Sequence, residues 1–240
     1  MTKALLLRTA GVFSVLALAL MLLGTAVILA SSGTAAQDPL ETFSDPATFT
    51  AFLQAADPAL RTALFLDGLF ALSYAGAVCF GVIGLRDRCP PAAWASGLGI
   101  LLTMVLDVSE NLLMMGSLGL AGAGQEITAE RITLHVFVSG MKLHFAAFSL
   151  VAFTFTLPSR GLVTWLMRWG GRTIMPIAAI LFVTDAFGMS ANASLGVFAA
   201  MTGGFALQAI FMFREAQDQS QVDREGRAGA SDRRPSASGR

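Results

Sequence analysis

Asp107, Glu110 and Asn111 lie inside residues 99–115, a stretch otherwise apolar and long enough to sit in a membrane. Steps of three and four residues place all three on one face of a helix, and Thr103 and Gly99 continue that face toward one end. Two carboxyl groups and an amide so arranged can share a proton, hold a cation, or act as general acid and base. A carboxyl facing hydrocarbon costs roughly 2.5 to 3.5 kcal/mol at mid-helix. The rest of the chain must therefore supply partners for them.

Few other residues qualify. Asp67 precedes Tyr74 by seven positions, which puts both on one helical face, and His135, Ser139 and Lys142 form a stripe at i, i+4 and i+7, with His144 on another side. Asp185 is a further acid within an apolar run. At about 1.5 Å of rise per residue, Asp67 falls roughly 10 to 14 Å below the outer end of its span and Lys142 roughly 15 Å below its own. Asp67, Asp107, Glu110 and Asp185 can then carry four negative charges against one from Lys142. Such a set does not ionise fully in a low-dielectric site, so it holds protons or a cation. Asp67, Asp107, Glu110, Asn111, His135 and Lys142 are accordingly the candidate catalytic or binding residues, with the involvement of a metal left open.

Each also has a structural reading. Lys142 can neutralise one or two acids and hold a bundle together, Asn111 can satisfy backbone, and Tyr74 can pack with its hydroxyl paired to the cluster. A histidine near an interface is often a hydrogen-bonded rim residue, and Asp185 lies near enough to the surface to be solvated.

The elements that position these groups follow from composition. Of 240 residues, 55% are hydrophobic and 13% charged, and the mean hydropathy of +0.66 is too high for a water-soluble domain. The pattern predicts an all-α, polytopic membrane bundle with six spans, near residues 4–30, 58–85, 92–118, 132–157, 173–190 and 194–213. The first is read as a retained helix, because its uninterrupted apolar run exceeds that of a signal peptide. Asp-Pro steps at Asp38, Asp45 and Asp57 read as helix starts. A short interfacial helix is expected at 46–56, in the first outer loop, and the second span begins at Pro58. Trp165 and Trp169, one turn apart among arginines, predict an interfacial segment over 158–172. Residues 1–213 form the membrane domain, and 214–240 read as a disordered cytoplasmic tail.

Lys3, Arg8, Arg86, Arg88, Arg160, Arg168 and Arg172 fall on the side of the N-terminus, whereas the opposite side has Arg61 and Arg131. This asymmetry predicts a multi-pass protein of the cell membrane with both termini cytoplasmic, and places the acidic cluster in the outer half. Cys79 and Cys89 match neither a redox pair nor a zinc module. No phosphate-binding loop, dinucleotide fingerprint, zincin motif, serine-hydrolase elbow or nucleic-acid-binding basic run occurs in the apolar part.

The partners predicted are the bilayer and a lipid or small-molecule substrate, with no nucleic acid. Three functions fit: a membrane-embedded enzyme or binding protein for that molecule, with or without a metal; a small proton- or cation-coupled carrier; and a non-catalytic scaffold held by a buried ion-pair network. Whether the chain is an enzyme is left open by its residues. The inner half offers only Gln208, Thr154 and Thr156 as polar candidates for the second gate a carrier needs, which favours a site reached from outside.

Overall fold

The computed structural model describes residues 1–41, 45–159, 161–184 and 190–231, so that Asp185 and Arg160 lie outside the described residues. Among these residues the secondary structure is helical: α1 (Lys3–Ala30), α2 (Asp38–Glu41), α3 (Pro46–Leu85), α4 (Pro90–Gly122), α5 (Ala129–Thr154), α6 (Leu162–Trp169), α7 (Met175–Thr184) and α8 (Ser190–Ser231). Six helical stretches are long and apolar enough to cross a membrane: α1, α3, α4, α5, α6 continued by α7, and α8. Among the described residues the chain is thus all-helical, and its six candidate spans, those of a multi-pass membrane protein, equal the number its hydropathy predicts.

Helix starts follow the capping residues. Thr2 accepts from the Leu5 N–H at 3.3 Å, Thr128 from the Arg131 N–H at 3.4 Å, and Asp45 from the Thr48 N–H at 3.0 Å with Pro46 beginning the first turn. The hydroxyl and backbone of Thr48 hold the Asp45 carboxyl below its usual value.

Three boundaries differ from those predicted. Asp57-Pro58 does not open a new helix: α3 runs unbroken for 40 residues with Pro58 inside it, so residues 46–56 are its first turns rather than a separate short helix. An interior proline forfeits a backbone bond and costs about 3 kcal/mol. Burial on both sides of it offsets this, since Phe49, Leu53 and Leu60 pack with Leu118, Ala121 and Ile132 in one apolar cluster. Gln54 also donates to the Ala121 carbonyl at 3.1 Å, and Arg61 pairs with Asp57 at 2.5 Å.

Likewise, α6 is not a segment apart from the fifth span but joins α7 through a π-helical turn, Gly170–Ile174. There Arg172 donates to Thr154 Oγ1 at 2.7 Å and sits 4.1 Å from the Phe155 ring centroid, anchoring the junction on the end of α5. The last helix continues past the apolar run, through residues rich in the good helix formers Arg, Glu, Gln and Ala, to Ser231. An ion pair between Arg88 and Glu215 ties it to the turn after α3.

α1 packs along α3 and α8, α4 lies between α3 and α5, and α7 packs on α8 and α5. Close approach uses small residues. A Cβ at Gly76 would stand 2.8 Å from the Phe13 ring, and one at Gly99 would stand 3.0 Å from the Ser149 side chain. Ser149 donates to the Ser96 carbonyl at 2.8 Å, bonding α5 to α4 at that point. Phe65, Leu72, Trp94 and Phe137 are exposed on the outer surface, as residues facing lipid would be.

Candidate functional site

The site is built on α3, α4 and α5, with one contribution from α2. Asp107, Glu110 and Asn111 project from the inward face of α4, as their spacing requires, and all three are buried. Asp67 and Tyr74 come from the facing side of α3, and His135, Ser139 and Lys142 from α5. The structure therefore brings together all six residues singled out in the sequence.

Lys142 is the hub. Its Nζ lies 2.5 Å from Glu110 Oε2, 3.2 Å from Asp107 Oδ1 and 3.4 Å from Glu41 Oε1. The Tyr74 hydroxyl donates to Asp107 Oδ2 at 3.0 Å, so both oxygens of Asp107 are engaged. Asn111 does not serve the backbone; its Nδ2 donates to Asp67 Oδ2 at 2.8 Å and holds that carboxyl in place. His135 Nε2 stands 3.8 Å from Glu110 Oε1, too far for a direct hydrogen bond. Among the described residues, His135 Nε2, Glu110 Oε1 and Ser139 Oγ have no hydrogen-bond partner. Ser139 departs here from Ser73, Thr103 and Ser117, whose hydroxyls each donate to the carbonyl one turn back.

Glu41 was not anticipated. It lies in the first loop, where α2 folds back over the bundle with Leu40 fully buried, and its carboxylate reaches Lys142. The Asp38-Pro39 helix start was legible in sequence; the return of the loop onto α5 was not. His144, set apart by its spacing, is exposed and bonds the Gly140 carbonyl at 2.7 Å. Arg131 is not part of the set, because its guanidinium is used by Ser117 Oγ at 2.7 Å and the Leu113 carbonyl at 2.9 Å.

Beside this set lies a cavity of about 520 Å³. Leu20, Phe70, Val78, Leu150, Met201 and Phe205 are among its apolar walls, and Glu41, Asp67, Tyr74, Asp107 and Lys142 form its ionisable wall. Glu110, Asn111 and His135 are not among the lining residues, so the six candidates divide into a wall and a supporting layer. The wall presents a carboxylate, a phenol and an ammonium joined in one chain, groups able to orient a polar head or move a proton. Among the described residues no three His, Cys, Asp or Glu side chains are arranged to hold a metal ion. Comparison with known protein families, with characterised proteins and with solved structures finds no match.

Proposed function

We propose that this membrane protein binds a lipid or lipid-like small molecule in the cavity among α1, α3, α4, α5 and α8, with the polar end of that molecule at Asp67, Tyr74, Asp107 and Lys142. The observation that carries this reading is the union of a mainly apolar volume of about 520 Å³ with an ionisable wall at one place. Small-molecule sites commonly have about 300 to 1,000 Å³ and a few convergent polar groups. A purely structural ion-pair network would need the acids and the lysine but no cavity beside them.

The membrane orientation in this proposal has both termini cytoplasmic, from the basic-residue asymmetry, and the loop carrying Glu41 outside. A carrier is less well supported, because the inner polar residues are already satisfied. Gln208 donates to the Ala77 carbonyl, Thr154 to Val151 and Thr156 to Phe153. Catalysis on the bound molecule remains a second reading, favoured by the Tyr74–Asp107–Lys142 chain on the wall itself. In that reading Tyr74 and Lys142 are the proton-carrying groups, and His135 stands behind them, 3.8 Å from Glu110.

Gly24 gives the test. It lines the cavity, and a Cβ there would meet no atom within 4 Å, so the side chain of Gly24→Phe starts in open space at the cavity wall. A fluorescent acyl probe titrated into detergent-purified protein is expected to bind saturably to the wild type and to lose that binding in Gly24→Phe. Equal saturable binding by both, or none by the wild type, overturns the proposal. Conversion of a lipid extract that stops in Tyr74→Phe favours the catalytic reading.

A further inference from the structure

The charge on the cavity wall is lopsided. Among its described residues Glu41, Asp67 and Asp107 oppose a single cation, Lys142, and Lys142 is committed to Glu110, Asp107 and Glu41 within 3.4 Å. Asp67 stands apart from that arrangement. It faces the cavity, is held by Asn111, and among the described residues pairs with no lysine or arginine. Beside an apolar volume Asp67 either holds a proton or meets a counter-charge; an anionic guest is repelled by its ionised form, and a cationic guest is the one that lets it ionise.

Aromatic rings line the same cavity. Phe70 and Tyr74 follow Asp67 on one face of α3 with centroids 5.2 Å apart, and Phe205 of α8 meets Phe70 edge-on at 5.7 Å. An organic cation finds a carboxylate and aromatic rings in the lining of one cavity. A zwitterionic phospholipid head fits less well, since its phosphate would need a cation and the wall lysine is already surrounded by acids.

We infer that the occupant of the cavity is a lipophilic organic monocation, seated with its charge at Asp67 and its apolar body against Phe70, Val78, Leu150 and Phe205. The inference rests on the cavity being a binding site and adds the charge of its ligand. Tetraphenylphosphonium and tetraphenylborate, alike in shape and opposite in charge, separate the two claims, with tetraphenylsilane as the neutral member.

Binding is measured in neutral maltoside micelles, with empty micelles as reference. Tetraphenylphosphonium is expected to bind saturably and at least about tenfold more tightly than the other two. Asp67→Asn, close in shape, is expected to erase that preference and Asp67→Glu to retain it, with unfolding temperatures recorded for each. Should Asp67→Asn fail to fold, Asn111→Leu, which releases the carboxylate without removing its charge, is expected to weaken cation binding.

Equal binding of all three probes, with Gly24→Phe blocking each, overturns the cation assignment and leaves the binding site standing. Displacement of the phosphonium by phosphatidylcholine at comparable mole fraction overturns it in favour of a lipid head. No saturable binding of any probe, together with no effect of Gly24→Phe on acyl-probe binding, defeats the site as well.

Discussion

At the residue scale, Lys142 decides how the acids coexist. Glu110, rather than Asp107, is its nearest partner and the more deeply buried, with no other hydrogen-bond donor in reach among the described residues. Lys142→Met leaves Glu110 and Asp107 without a counter-charge and is expected to lower stability by about 3 to 5 kcal/mol. Adding Glu110→Gln removes the other half of the pair and should restore most of that loss, whereas adding Asp107→Asn, whose Tyr74 hydrogen bond persists, should restore less. Thermal unfolding in detergent of the two singles and both doubles decides the ranking. Much of this cluster was legible in sequence, because membrane-buried ionisable groups are costly and must converge; Asp67, Asp107, Glu110 and Lys142 needed no further signal. Which acid faced the lysine was not legible. A step of one helical turn between Asp107 and Glu110 leaves both on the right face, and side-chain reach settles the pairing.

At the scale of elements, the site depends on how closely α4 and α5 approach and on the loop that returns through α2. Gly99 faces Ser149, and a side chain there would stand 3.3 Å from the Ser149 backbone. Gly99→Leu is expected to push α4 from α5, cost about 1 to 3 kcal/mol, and weaken probe binding. The loop is held by Leu40, which is buried, and by the reach of Glu41 to Lys142. Glu41→Gln should speed amide hydrogen exchange over residues 34–41 while exchange at the middle of α4 stays unchanged; equal rates in the loop would show that apolar packing alone retains it. The merged helices show where local signals stop. Asp57-Pro58 is a sound helix start, yet the cluster of Phe49, Leu53 and Leu60 with α4 outweighs one missing backbone bond. The segment 158–172 gave no sign that its helix would run on into the fifth span, where Arg172 finds Thr154 and Phe155 on the neighbouring helix. Both boundaries are set by tertiary contacts that periodicity does not record.

At the scale of the whole molecule, our proposal has all six candidate helices cross the membrane, which puts both ends of the bundle on one side, and the basic residues assign that side to the cytoplasm. A reporter active only outside the cell, fused after Ser231, should be silent, and the same reporter inserted at Ala36 should be active. In our proposal a guest occupies the space between the helices. Photolabelling by a diazirine-bearing alkylamine in micelles, followed by peptide mapping, tests it most directly. Label is predicted on cavity residues such as Met21, Phe70, Met201 and Phe205, and its loss from them in Gly24→Phe. Label confined to outward-facing residues such as Val12, Phe65 and Leu102, and unchanged by Gly24→Phe, would contradict the account.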